Sequence, residues 1–150
     1  MKARLIRLFF FIAGIFLFIT AVAKIISGSG ASKVLQMPDP ILMISFQQIF
    51  WLVGSLELLI ACVCLFSKRL SLQAGLIAWL ATSFAMYRIG LLLSGYHKPC
   101  SCMGNLTDAI HVSPQMADNI MKGGLAYLLI GSYATLFWLW RQHKKPAPAP

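Results

Sequence analysis

The run SFQQIFWLVGSLELLIACVCLF occupies residues 45–66 and contains a single ionisable carboxyl group, that of Glu57. A helix needs about 20 mostly apolar residues to cross a hydrocarbon layer of roughly 30 Å, and this run is long enough. Three more runs of similar character lie at about residues 8–26, 70–95 and 123–140. No alternation of polar and apolar residues runs through them, so the sequence predicts transmembrane helices rather than barrel strands.

The composition agrees with a lipid environment. The chain has 150 residues, of which 59% are hydrophobic and 11% are charged, whereas soluble domains carry about 25% charged residues. The sequence therefore predicts an all-α membrane protein, a four-helix transmembrane bundle that forms one domain over residues 1–145. Residues 146–150 are Pro and Ala alone and predict a disordered tail. Pro114, which follows Ser113, predicts a helix start that continues into the fourth span.

Basic residues predict the orientation of the bundle. They collect before the first span, between the second and third spans, and after the fourth span: Lys2, Arg4, Arg7, Lys68, Arg69, Arg141, Lys144 and Lys145. By the positive-inside rule both termini are cytoplasmic, and the loop between the third and fourth spans is periplasmic in a cell inner membrane. These basic residues account for most of the net charge of +9, and they would attract anionic lipid. The charge is explained in this way, so no nucleic-acid partner is expected.

The N-terminal segment has two interpretations. A basic start, an apolar run and Ala21-Val22-Ala23 have the layout of a cleavable signal peptide. The apolar run continues through Ile25 and Ile26, which makes it long enough to span, and we expect it to be retained. Cleavage would leave three spans and the same cysteine-bearing loop.

Three ionisable side chains fall deep within the predicted spans: Lys24, Glu57 and Arg88. A charge near mid-span costs about 2.5–3.5 kcal/mol or more, so each is expected to be paired or to face water. Glu57 is the one acid inside the predicted spans, and we expect it to pair with Lys24, Arg88 or both. Lys24 could instead snorkel to the interface. The cluster has two candidate roles, a clamp that fixes helix order and a proton or ligand site.

The four cysteines form two different pairs. Cys62 and Cys64 point about 200° apart on one helix, and we expect them to fill a helix–helix seam. Cys100 and Cys102 lie in HKPCSCMGN, residues 97–105, on the predicted outer side. A disulfide between residues i and i+2 closes a strained ring that is easily reduced and removes little chain entropy. An exchangeable redox couple is therefore a better interpretation than a structural staple.

The surroundings of this pair leave alternatives open. His97 and Lys98 precede the pair closely enough to stabilise a thiolate, which is the reactive form of cysteine, and Gly104 follows it. A soft metal ion such as Cu(I), or zinc, could instead use a wider set of ligands: Cys100, Cys102, Met103, His97 and His111. A structural loop with idle thiols is the third interpretation.

Three short motifs carry a resemblance to a known family: Ala21-Val22-Ala23-Lys24, Gly54-Ser55-Leu56-Glu57-Leu58 and Cys100-Ser101-Cys102-Met103-Gly104. With four short spans, they resemble the methylamine utilisation protein MauE family and the DoxX-like membrane proteins over roughly residues 8–140. The resemblance implies a membrane protein in disulfide formation or maturation of exported proteins, working beside a thioredoxin-like periplasmic protein.

These observations together predict an integral membrane thiol-redox protein in which Cys100 and Cys102 exchange disulfides. The architecture is also similar to the four-helix DsbB and vitamin K epoxide reductase enzymes, which use two external cysteine pairs and a quinone. A quinone cofactor is thus raised by analogy alone, since one external pair is present here. The alternatives are a non-enzymatic membrane scaffold or accessory subunit, and a small-solute or metal carrier that uses Glu57.

Overall fold

The computed structural model describes residues 2–29, 36, 39, 42–94 and 114–144. These residues form four helices: α1 at Lys2–Gly28, α2 at Phe46–Phe66, α3 at Leu70–Leu93 and α4 at Pro114–His143. All four contain a stretch that is long and apolar enough to cross a membrane. The predicted all-α fold with four membrane-spanning helices is therefore confirmed.

Two helices extend beyond the predicted spans. α1 begins at Lys2, before the apolar run, and α4 begins at Pro114, well before the predicted fourth span at residue 123. Proline suits the first position of a helix, where its missing N–H would have no partner inside the helix. The predicted helix start at Pro114 is confirmed, and the polar first turns of α4 become part of the bundle.

Side-chain hydrogen bonds join α2 to the end of α1 and to the start of α3. At its start, Ser45 and Gln48 form a reciprocal capping box, and Gln47 Nε2 donates to the carbonyl of Gly28 at 2.9 Å. At its end, the buried Gln73 of α3 donates Nε2 to carbonyl oxygens at 2.7–3.3 Å, those of Val63, Cys64 and Ser67. The last carbonyls of a helix have few partners within it, and Gln73 supplies a donor to those of Cys64 and Ser67. The carbonyl of Val63 also accepts from the backbone N–H of Ser67 at 2.9 Å.

Contacts between helices show that neighbours run in opposite directions. Gly14 of α1 lies against Leu65 near the end of α2, whereas Gly28 lies against Trp51 near its start. In the same way α4 places Gly124 against Phe16 and Gly131 against Phe9 of α1. At one end of the bundle, α1 and α3 therefore finish and α2 and α4 begin. We call this the cysteine-loop end, because the chain between α3 and α4 carries Cys100 and Cys102.

The buried core lies where all four helices meet. Large side chains from each helix fill it: Phe10, Leu17, Ile60, Ile77, Leu80 and Leu128. Alanines that are fully buried, such as Ala13, Ala61 and Ala81, let the helix backbones approach closely, as is common in membrane bundles. Outward-facing side chains are also apolar, with Ile130 72% exposed and Leu52 63% exposed. A surface of this kind fits a lipid bilayer rather than water.

Candidate functional site

Two of the sequence motifs meet at the interface between α1 and α2. Ala21 and Lys24 are three residues apart and share one face of α1, as Gly54 and Glu57 do on α2. Ala21 is fully buried, Lys24 is 6% exposed and Glu57 is 1% exposed. The two motifs therefore build one buried polar contact rather than two separate features.

Gly54 brings the two helices close enough for that contact. A methyl group at Gly54 would lie 2.9 Å from Cγ1 of Ile25 and 3.2 Å from the carbonyl oxygen of Ala21. The first distance is shorter than van der Waals contact, so a larger residue would push α1 and α2 apart. Cβ of Lys24 lies at this crossing, 3.4 Å from the same methyl position, and Glu57 lies one turn further along α2. The close approach therefore limits the distance between the two side chains.

The ammonium of Lys24 donates a hydrogen bond to Oε1 of Glu57 in a buried ion pair. The same ammonium lies 5.2 Å from the ring centroid of Phe84 on α3, within the range of a cation–π contact. The predicted pairing of Lys24 with Glu57 is confirmed. Lys24 turns inward to its acid instead of snorkelling, and it links three helices at one point.

The second carboxylate oxygen of Glu57 is the open position of this site. Oε2 is buried and accepts no hydrogen bond within the described part of the chain. The hydroxyl of Thr20 lies close enough to interact with the Glu57 carboxyl, and it donates to the carbonyl of Leu17 at 3.0 Å. A buried acceptor without a partner costs about 1–3 kcal/mol. Chemically, the pair can hold α1 to α2, and Oε2 can accept a proton or a hydrogen bond.

Arg88 does not join Lys24 and Glu57. Its Nη2 donates to Oδ1 of Asp118 on α4, and Oδ2 of the same carboxylate lies 2.7 Å from Nζ of Lys122. Of the two expected partners of Glu57, Lys24 is therefore the one found, and Arg88 pairs with a different acid. Asp118 lies outside the predicted fourth span but within the helix predicted to begin at Pro114, and α4 brings it alongside α3.

A further buried acid, Asp39, was not anticipated from the sequence. Asp39 is 1% exposed and accepts a hydrogen bond from the hydroxyl of Tyr87 on α3. Its other oxygen accepts from the backbone N–H of Leu42 at 2.9 Å. The contact ties the α1–α2 connection to α3, next to Arg88. The sequence offered two signals, an aspartate between two prolines and a tyrosine beside an arginine. Neither of them identifies the partner of Asp39.

The predicted redox residues Cys100, Cys102, His97, Lys98 and Gly104 lie outside the described residues. So do Met103 and His111, the remaining ligands of the alternative metal site, and the tail at residues 146–150. Where the structure describes the chain, no three His, Cys, Asp or Glu side chains come together as a metal centre. Cys62 is exposed and Cys64 is buried, and both are free thiols.

Four membrane-spanning helices with a buried lysine–glutamate pair define the class, a multi-pass α-helical membrane protein with a polar site in its interior. The family model described as methylamine utilisation protein MauE matches residues 2–141. The chain therefore belongs to the MauE family, which supports a membrane protein in methylamine utilisation. Comparison with curated proteins and with solved structures finds no match.

Proposed function

We propose that this protein is a membrane thiol–disulfide exchange protein that supports disulfide formation or maturation of exported proteins. The observation that carries the proposal is the ion pair between Arg88 and Asp118. It joins the helix that precedes the segment bearing Cys100 and Cys102 to the helix that follows it. A reactive pair borne on a segment with anchored ends suits exchange with a docked partner, and membership of the MauE family is compatible with that role.

The exchange conserves electrons and atoms. A thiolate of Cys100 or Cys102 attacks one sulfur of a partner disulfide, and the other partner sulfur leaves as a thiolate. The second cysteine then attacks the mixed disulfide, which leaves an oxidised Cys100–Cys102 pair and a reduced partner. Two electrons pass to the partner, and the reverse sequence oxidises it. His97 and Lys98 would favour the thiolate.

The proposed setting is a cell inner membrane with the cysteine-loop end on the periplasmic side. The partner would be a thioredoxin-like protein, which carries its own cysteine pair. A quinone near Arg88 and Glu57 is not part of the proposal, because Arg88 is paired with Asp118 and Glu57 with Lys24. Electrons are therefore proposed to pass between proteins, and no step is routed through a quinone.

Thiol trapping in intact cells tests the proposal. In a Cys62→Ser/Cys64→Ser background, cells receive a bulky membrane-impermeant maleimide with or without a mild reductant, and the gel shift is measured. We expect two additions that appear only after reduction and disappear in Cys100→Ser/Cys102→Ser. Labelling without reductant would show free thiols, and absence of labelling in both conditions would place the pair away from the outer face. Either result would contradict an outward, oxidised pair.

Glu57 supports a second candidate function, a small-solute or proton-coupled carrier. The supporting observation is the buried Oε2 that accepts no hydrogen bond from the described residues. Glu57→Gln removes the charge at nearly constant volume. If it abolishes growth on methylamine while Cys100→Ser/Cys102→Ser grows normally, the carrier replaces the redox proposal. If neither change matters, the protein acts as a scaffold or accessory subunit.

A further inference from the structure

We propose that Arg88, Asp118 and Lys122 form a clasp that positions the cysteine pair for a protein partner. The inference rests on the proposed function, since it assigns positioning residues to that exchange reaction. It adds what neither the family nor the sequence motifs supply, namely how the bundle controls the geometry of its reactive segment. None of the three residues belongs to the motifs that carry the family resemblance.

The clasp is built around one carboxylate that is engaged on both sides. Oδ1 of Asp118 accepts from Arg88, and Oδ2 lies 2.7 Å from Nζ of Lys122 one turn later on α4. The side chains of Arg88 and Asp118 are 21% and 16% exposed, whereas that of Lys122 is 61% exposed. Hydrogen bonds between ionised groups are among the stronger ones, and partial burial reduces their screening by salt. Arg88–Asp118 is therefore the main contact and Lys122 the lesser one.

The clasp joins the two helices that flank the cysteine-bearing connection. Arg88 lies near the end of α3 and Asp118 near the start of α4, at a separation of 30 residues. All of the cysteine-bearing connection lies between them. A chain whose ends are held together samples fewer arrangements than one whose ends move apart, so anchoring the ends restricts where the pair can be presented. A protein partner, which must dock and react at once, is sensitive to that restriction.

The neighbouring residue supplies a matched control. Tyr87 makes a comparable contact with a buried acid, but Asp39 belongs to the other connection at this end, the one between α1 and α2. Packing of α3 on α4 does not depend on the clasp alone, because Thr82 and Tyr133 share a hydrogen bond of 2.9 Å and both helices contribute to the core. Loss of the clasp is therefore expected to release the end of α3 from the first turns of α4 while the rest of the two helices stays assembled.

The test compares two reductants of different size on the purified full chain in nanodiscs. Reduction of the oxidised Cys100–Cys102 pair is followed by thiol alkylation, with dithiothreitol as the small reductant and reduced thioredoxin as the protein one. The measured quantity is the ratio of the thioredoxin rate to the dithiothreitol rate. We expect Arg88→Gln and Asp118→Asn each to lower this ratio about tenfold, the factor that one charge-assisted hydrogen bond contributes.

A charge-exchanged protein and two further single variants extend the test. Arg88→Asp combined with Asp118→Arg should recover most of the ratio, Lys122→Gln should lower it about threefold, and Tyr87→Phe should leave it at the wild-type value. A ratio unchanged in Arg88→Gln and Asp118→Asn overturns the inference, as does an equal fall in Tyr87→Phe. If either single variant fails to fold, the charge-exchanged protein and Lys122→Gln decide the question.

Failure of the inference and failure of the proposed function give different signals. If the wild-type chain holds no disulfide that either reductant can open, the exchange function itself is wrong. If both reductants open the wild-type pair and the clasp variants keep the wild-type ratio, the function stands and the positioning role is wrong. If the ion pair only helped the helices to pack, its loss would not change the ratio of the thioredoxin rate to the dithiothreitol rate. A fall in that ratio that charge exchange reverses would therefore support a positioning role.

Discussion

Lys24→Met tests whether the buried ion pair stabilises the bundle. Methionine keeps an unbranched apolar side chain beside Phe84, so the main loss is the ammonium. Glu57 would then keep a buried carboxylate that is 1% exposed, with Oε1 deprived of its donor and Oε2 already without one. Removing one partner of a buried pair costs about 3–5 kcal/mol, and we expect a loss of that size in the free energy of unfolding.

Replacing both partners separates charge from packing. Lys24→Met combined with Glu57→Leu removes both charges and leaves apolar groups of similar size in the seam. Such replacements are often neutral or stabilise by about 1–4 kcal/mol, so the double variant should be more stable than Lys24→Met alone. Glu57→Gln should fall between wild type and Lys24→Met, because its amide oxygen can still accept a hydrogen bond from Lys24.

The measurement is reversible unfolding of the purified chain in mixed micelles by titration with sodium dodecyl sulfate, followed by far-ultraviolet circular dichroism. Wild type, Lys24→Met, Glu57→Leu and the double variant form a complete double-mutant cycle, which isolates the coupling between the two side chains. Lys24→Met within about 1 kcal/mol of wild type would refute the reasoning. A double variant that is less stable than Lys24→Met would also refute it, since packing rather than charge would then dominate.

Four more substitutions can be measured in the same titration. Gly54→Ala should cost about 1–3 kcal/mol, because its methyl would lie 2.9 Å from Cγ1 of Ile25; Gly75→Ala, with nothing within 4 Å, should be neutral or slightly stabilising, and equal losses at both glycines would contradict the close approach. Gln73→Leu should cost about 1–3 kcal/mol because it removes the donor to the last carbonyls of α2; a wild-type midpoint would show that those carbonyls find other partners. Tyr87→Phe should lower the unfolding free energy by about 1–3 kcal/mol through loss of its bond to Asp39, and an unchanged midpoint would remove that contact from the account of stability.

Length and composition determined the class of this protein before any contact was known. A run such as residues 45–66 is apolar over enough length to span a membrane, and that property is local and can be read along one dimension. The pairing of Lys24 with Glu57 was also within reach, because a buried charge requires a partner and few candidates existed. The sequence left Lys24 and Arg88 open as alternative partners of Glu57.

The other polar contacts depended on helix ends and rotations. Asp118 lies in the polar first turns of α4, whose start at Pro114 the sequence predicted. The sequence did not show that these turns lie beside Arg88. Gln73 and Asp39 found partners through the tight α2–α3 turn and through the contact with Tyr87. Each contact joins residues whose distance depends on how helices rotate and slide against one another.

The sequence by itself therefore determined the number of helices, the membrane environment and the need for charge pairing. The tertiary structure alone decided which acid meets which base, and so divided the predicted cluster of Lys24, Glu57 and Arg88 into two separate sites. The physical reason is that a long apolar run prefers lipid to water whatever it packs against, whereas an ion pair forms only where its two charged groups lie close together. Only packing at close approaches such as Gly54 sets that distance.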